Sequence, residues 1–187
     1  MEGVPVIAMV SRIVSDKGFD LVADIMKELL EMDVQFVLLG QGEKEYEDIF
    51  EEYSAMDPEM VSSNIVFSTK MAKQIYAGAD IFLMPSLNEA CGLSQLIALR
   101  YGTVPIVRET GGLKDTVQNY EPGTDSGTGF VFREYDSREL LDTIKKAVEA
   151  YRQKESWSKL VIRAMSADNS WDKSSKMYIG IYENMLK

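Results

Sequence analysis

The feature that limits this chain most is its rhythm: short apolar runs alternate with stretches of helical periodicity. Val4 to Val10 is continuously apolar apart from its proline, the pattern of a parallel strand buried on both faces. Val22, Ile25, Met26, Leu29 and Leu30 then fall on one helical stripe. Gln35 to Leu39 reads as a second strand stopped by Gly40, followed by a helix carrying Tyr46, Ile49, Phe50 and Tyr53. Asn64 to Phe67 is expected as a third strand, Met71 to Tyr76 as a short helix, and Ile81 to Met84 as a fourth strand ended by Pro85. Leu93 to Arg100 reads as a helix, Val104 to Val107 as a fifth strand and Gly129 to Phe132 as a sixth. The tail changes character: a stripe from Leu140 to Tyr151, a helix over Glu155 to Met165, and a last helix N-capped by Ser170. The alternation predicts an α/β fold: a Rossmann-like, doubly wound, mostly parallel sheet with helices on both faces and extra C-terminal helices.

Such a sheet binds ligands beyond the carboxyl ends of its strands. Four segments directly follow predicted strands there: Ser11 to Gly18, Gly40 to Gly42, Ser86 to Leu93, and Arg108 to Gly112. The first holds Arg12 and Lys17, two cations suited to a diphosphate, or simply solvated loop charges. The third places Glu89 just before a predicted helix start at Gly92 and Leu93. Backbone N–H groups and the dipole at a helix start favour phosphate. Glu89 can accept from sugar hydroxyls, or serve as an acid that complements that dipole. Cys91 reads first as a small packing residue. Gly111 and Gly112 allow a close backbone approach to a ligand, or a tight turn. Gly40-Gln41-Gly42 begins like a dinucleotide fingerprint, but Glu45 stands at the third glycine. It follows the second strand, so it reads as a nucleoside-side loop and not an NAD site.

The absences narrow the chemistry. The 187 residues contain no histidine and one cysteine, which removes Ser-His-Asp and Cys-His arrangements and makes a zinc site improbable. No glycine-lysine phosphate loop occurs. We therefore expect neither metal nor cofactor, and chemistry resting on carboxylates, Arg, Lys and backbone dipoles. The net charge of −10 argues against nucleic acid as a partner. No apolar run approaches the ~20 residues of a membrane span, and no leader pattern opens the chain. A cytoplasmic setting without membrane contact is the expectation.

Taken together, these segments resemble the C-terminal domain of bacterial glycogen synthases and plant starch synthases. Met84-Pro85-Ser86-Leu87-Asn88-Glu89-Ala90-Cys91-Gly92-Leu93-Ser94-Gln95-Leu96 is similar to the family's MPS-x-x-EPCGL-x-QL. Arg100-Tyr101-Gly102-Thr103-Val104-Pro105 and Thr110-Gly111-Gly112-Leu113-Lys114-Asp115-Thr116-Val117 resemble RYGT-x-P and TGGL-x-DTV. Ser11-Arg12-Ile13 with Lys17-Gly18 resembles SRL-x-x-QKG, and Ser170-Trp171 with Ser174 resembles SW-x-x-S. The resemblance runs over nearly the whole chain, in order and at family spacing.

It implies one half of a GT-B glycosyltransferase. Residues 1–187 would be the nucleotide-sugar-binding C-terminal domain, with the N-terminal acceptor-binding domain absent from this chain. It implies retaining transfer of glucose from ADP-glucose to the non-reducing end of an α-1,4-glucan, without a metal. Arg12 and Lys17 would grip the donor diphosphate and Glu89 would hold glucose hydroxyls. The amides near Cys91, Gly92 and Leu93, with Thr110 and Gly111, would meet phosphate or sugar. Phe67 falls where the family often has a tyrosine that stacks on adenine, or it is a strand-end core aromatic. Ala90 and Asp16 stand where the family has proline and glutamine, and Asp16 adds negative charge beside the cations. Ile97 stands where related sugar transferases often have a second glutamate, which favours the synthase branch. The chain alone is expected to fold, to bind ADP or ADP-glucose weakly and to transfer little or nothing. The last helix is expected to pack on the missing half. The alternatives are a related transferase using UDP-glucose and a non-catalytic nucleotide-binding α/β module.

Overall fold

Strand β1 (Val6–Val10) begins two residues later than its apolar run. Pro5 has no N–H, so it contributes only its carbonyl, which accepts from Gln35 N at 3.0 Å. The structure is a computed structural model that describes residues 3–124 and 126–186. β2 (Gln35–Gly40), β3 (Val61–Ile65), β4 (Ile81–Met84), β5 (Val104–Arg108) and β6 (Phe130–Phe132) complete one sheet. Its order is β3-β2-β1-β4-β5-β6, and every pairing is parallel. The chain runs outward from β1 to β3, returns to β4 beside β1, and runs outward again. That reversal opens a crevice between the carboxyl ends of β1 and β4.

Eight helices accompany the strands among the described residues: α1 (Phe19–Leu30), α2 (Lys44–Met56), α3 (Thr69–Gly78), α4 (Ser94–Tyr101), α5 (Gly111–Thr116), α6 (Ser137–Arg152), α7 (Lys154–Ser166) and α8 (Trp171–Met185). Side chains alternate between sheet faces. Ile7 and Met9 pack with Phe36, Leu38 and the buried stripes of α1, α6 and α7. Ala8, between them, joins Phe82, Tyr76 of α3 and Ala98 of α4 on the opposite face. Apolar residues on both faces of one strand explain why β1 reads as a continuous run and not an alternating one. The doubly wound α/β architecture expected from the sequence is therefore present.

Four differences from expectation bear on the site. β3 occupies Val61–Ile65 rather than Asn64 to Phe67. It is an edge strand with one face half-exposed, so Val-Ser-Ser-Asn-Ile carries no apolar run. Phe67 consequently lies beyond the strand and is 82% exposed, which rules out a core role. α4 starts at Ser94, one residue late, leaving Leu93 as its exposed N-cap. Gly111 and Gly112, expected as a close approach to a ligand or a tight turn, start a six-residue helix, α5. α8 begins as predicted, with Ser170 Oγ accepting from Lys173 N, but none of its described residues is buried.

Candidate functional site

The loop after β1 is shaped by its backbone partners. Ser11 N and Ile13 N donate to Leu39 O and Gln41 O, so the chain continues along the β2 edge past the end of the strand. It then folds into a 3-10 turn over Ser15–Lys17, closed by Gly18 at φ 79°, a left-handed conformation that glycine adopts without penalty. Gly18 lies against the loop after β4: a Cβ there would stand 2.4 Å from Pro85 O. Leu87 N donates to Asp16 O at 2.9 Å. The two loops are thereby held side by side across the crevice.

Lys17 and Glu89 meet at this seam. Lys17 Nζ donates to Glu89 Oε2 at 2.9 Å, and both side chains are more than four-fifths shielded from solvent. The buried Ser86 hydroxyl donates to the same oxygen at 3.4 Å. Asp16 Oδ2 is 4.0 Å from Lys17 Nζ. Arg12 differs: its backbone carbonyl accepts from Ser11 Oγ and Val14 N, but its side chain, exposed at the mouth of the crevice, makes no hydrogen bond or ion pair among the described residues. Arg12, Lys17, Glu89, Gly92 and Leu93 all line one cavity of about 260 Å³ over the ends of β1 and β4. The two cations and the α4 start thus converge on one rim of the sheet, as the sequence led us to expect.

A second, more apolar cleft of about 530 Å³ adjoins it beyond β1, β2 and β3, with Gly40, Gln41 and Phe67 in its wall. Val10, Ser11 and Arg12 belong to both cavities, so Arg12 stands at their junction. The whole site therefore offers an apolar end, a cationic middle and a carboxylate end in that order.

The remaining predicted residues sit differently. Cys91, Thr110 and Gly111 line neither cavity. The paired glycines let α5 approach the β4–α4 loop: Gly112 N donates to Glu89 O at 3.0 Å. A Cβ on Gly111 would stand 2.0 Å from Glu89 O, and one on Gly112 would stand 2.2 Å from Cys91 O. What these glycines visibly permit is loop-to-loop contact that fixes the backbone on either side of Ala90.

Sequence reading assigned no role to Arg108, Ser86, Gln95 or Tyr135. Arg108, at the end of β5, donates to Ser86 O, Leu87 O and Arg133 O, clamping the stretch that leads to Glu89. The single Tyr135 hydroxyl proton is shared between Asp20 Oδ1 at 2.6 Å and Ser15 O at 3.2 Å, which ties the Lys17 turn to the chain after β6. Burial, then the bond to Asp20 and that carboxylate's charge, hold the Tyr135 phenol well above its ordinary pKa, so it remains a donor. Ser86 and Gln95 lie inside the motif around Glu89, and that position was the available signal.

These features describe a crevice lined by charged side chains at the switch point of a doubly wound sheet, and the chain belongs to the glycosyl transferases group 1 family, whose model matches residues 1–162. Within that range of proteins it is similar to glycogen synthases. It is 51% identical over 183 residues to that of Desulforamulus reducens, covering 98% of this chain and 38% of that protein. It is 49% identical over 187 residues to that of Pseudothermotoga lettingae, covering 100% of this chain and 38% of that protein. Among solved structures, the catalytic domain of starch synthase IV from Arabidopsis thaliana, bound to ADP and acarbose, aligns with a TM-score of 0.88 at 33% identity, covering 98% of this chain and 39% of that one. A sucrose-phosphate synthase from Thermosynechococcus elongatus, at 20% identity and a TM-score of 0.73, shares the fold. The fold is that of one half of a GT-B glycosyltransferase, and the chain spans about two fifths of the length of the curated relatives it matches. Among the described residues, no helix is long and apolar enough to cross a membrane, and no cluster of three or more acidic or cysteine side chains is arranged to hold a metal.

Proposed function

We propose that this chain is the donor-binding half of a cytoplasmic glycogen or starch synthase. The whole protein would transfer glucose from ADP-glucose to the non-reducing end of an α-1,4-glucan with retention. The observation that carries this reading is Arg12: a cation without a protein partner, at the junction between an apolar cleft and a cavity holding Lys17 and Glu89. In this reading adenine lies against Phe67, the diphosphate lies at Arg12, Lys17 and the start of α4, and glucose reaches Glu89. The amides of Gly92 and Leu93 lie beside the distal phosphate, while Cys91, Thr110 and Gly111, outside both cavities, act on the site only through the loop they border.

The chemistry follows from charge. The bond between the glucose anomeric carbon and the diphosphate oxygen breaks, and its electrons leave as negative charge on that diphosphate. The acceptor hydroxyl attacks from the same face and its proton passes to the departing oxygen. Fixed donors that match the developing charge lower the barrier, typically by about 2.7–4 kcal/mol for a single donor. Lys17 is positioned to exchange Glu89 for phosphate, which frees the carboxylate to accept sugar hydroxyls at the moment the donor arrives. The glucan is held by sequence outside this chain, and α8 packs on that partner half, so the isolated chain binds donor but transfers little.

Isothermal titration with ADP and UDP tests the assignment. ADP is expected to bind more tightly than UDP, and Arg12→Ala and Lys17→Ala are each expected to weaken ADP by roughly tenfold or more. ADP binding that ignores both substitutions refutes the roles given to the cations. Tighter UDP binding points instead to a UDP-glucose transferase.

A further inference from the structure

Gln95, in the first turn of α4, has no solvent exposure. Its side-chain nitrogen lies 3.1 Å from Cys91 O, 2.9 Å from Gly92 O and 3.1 Å from Thr116 Oγ1. A primary amide has two N–H bonds, so these three acceptors share them. Thr116 Oγ1 is free to accept because its own proton goes to Gly112 O at 2.6 Å. The Gln95 carbonyl oxygen, by contrast, is buried without a partner. Flipping the amide gives no relief, since it would set that oxygen against the carbonyls of Cys91 and Gly92. A leucine or methionine of similar volume would carry no orphaned acceptor. The orphaned oxygen costs stability, so the contribution of Gln95 lies in what its nitrogen holds.

It holds two successive peptide groups. In a trans peptide the C=O and N–H point in opposite directions. With the oxygens of Cys91 and Gly92 both drawn to Gln95, the N–H groups of Gly92 and Leu93 are turned the other way. Neither finds a protein acceptor among the described residues. Gly92 and Leu93 border the cavity that also contains Arg12 and Lys17. Gly92 presents its carbonyl beside that of Cys91 from a left-handed backbone, φ 74°, which glycine adopts without penalty. A side chain there would also collide with Gln95, since a Cβ on Gly92 would lie 2.4 Å from Gln95 Oε1.

We propose that Gln95 is a positioning residue: through the carbonyls of Cys91 and Gly92 it aims the Gly92 and Leu93 amides at the distal phosphate of a bound nucleoside diphosphate. The inference rests on the donor-site reading above, and Thr116 extends the clamp to α5. AMP and ADP separate positioning from stability, because only ADP carries the phosphate those amides would meet. Titrations of wild type, Gln95→Leu and Gln95→Glu with both nucleotides make the test. The wild type is expected to prefer ADP. In Gln95→Leu the AMP affinity is expected to stay within about twofold while ADP affinity falls by about tenfold, the scale of one lost charge-assisted hydrogen bond. Gln95→Glu, isosteric but without donors when ionised, is expected to show the same collapse of the ADP-to-AMP ratio. Retained AMP affinity shows that a variant is folded. A wild-type ratio in both variants overturns the positioning role while leaving the nucleotide site intact. Loss of AMP and ADP binding alike in both variants makes Gln95 merely structural and also overturns it. A wild type that binds neither nucleotide removes the donor-site reading itself, and the inference with it.

Discussion

Replacing Gly18 by alanine tests whether the seam between the β1 and β4 loops is as tight as the distances imply. Two penalties combine. At φ 79° an alanine pays for left-handed backbone, about 1–2 kcal/mol. Its Cβ would also stand 2.4 Å from Pro85 O and 2.9 Å from Pro85 C. These are backbone atoms of a buried residue, so a loop must move, and forced repacking of this kind costs about 1–3 kcal/mol. The sum, about 2–5 kcal/mol, corresponds to a fall in Tm of about 4–20 °C for a domain of this size. Gly180→Ala is the internal control: that glycine lies within α8, and a Cβ there meets nothing within 4 Å. It is expected to raise stability by about 0.5–1 kcal/mol. Thermal and urea unfolding of the two variants beside wild type give both signs in one experiment. ADP titration of Gly18→Ala is expected to show a further loss, because a shifted loop moves Lys17 away from the cavity it lines with Arg12. A Gly18→Ala protein within 1 °C of wild type, or one destabilised no more than Gly180→Ala, would refute the reasoning from close approach.

Two other substitutions follow from the same geometry. Arg108→Ala removes the donors to Ser86 O, Leu87 O and Arg133 O and is expected to cost about 1–3 kcal/mol in urea unfolding. Arg108→Lys should recover less than half of that, because an ammonium cannot reproduce the guanidinium fork; full recovery by lysine would show that only the charge matters. Asp80 accepts from Val6 N at 2.9 Å, yet burial raises its carboxyl above the ordinary value despite that bond and the nearby Lys154 charge. A raised folded pKa means that the native state holds the proton more tightly, so Asp80 weakens the fold progressively as pH climbs through that raised value. Asp80→Asn, still able to accept from Val6 N, is expected to have a higher Tm than wild type at pH 7. That advantage should vanish as pH falls to the ordinary aspartate value of about 4, and a variant less stable than wild type at pH 7 would contradict the sign.

How much of this was legible in the sequence depended on whether the signal was local. β1, β2, β4 and β5 are buried on both faces, so their apolar runs identified them directly. β3 is an edge strand whose residues are mostly half-exposed, so apolar Ile65, Val66 and Phe67 drew the prediction past its true end. α5 is six residues long and opens with two glycines, too short to show a helical period. Arg12, Lys17 and Glu89 stood out because each follows a strand at the ligand-binding edge. The pairing of Lys17 with Glu89 did not stand out: it joins residues 72 apart and depends on how two loops meet. Gln95 resembled any polar residue near a helix start, since burial and an unpartnered oxygen are tertiary properties with no trace in residue type.

The ion pair at the crevice also changes what an approaching anion encounters. Lys17 is already neutralised by Glu89, and Asp16 stands near it. On the donor-site reading, an arriving nucleotide therefore meets one uncompensated positive charge among the described residues of the crevice, Arg12, on a molecule whose net charge is −10. At low ionic strength the long-range field of such a molecule repels a polyanion, and added salt shortens that field to about 8–10 Å. Moderate salt should therefore speed encounter before it begins to weaken the contacts made afterwards. If the crevice takes a diphosphate as proposed, its second cation is held in reserve, available only to a ligand close enough to displace a carboxylate, and a bound diphosphate would be set apart from the many small anions that merely pass the opening.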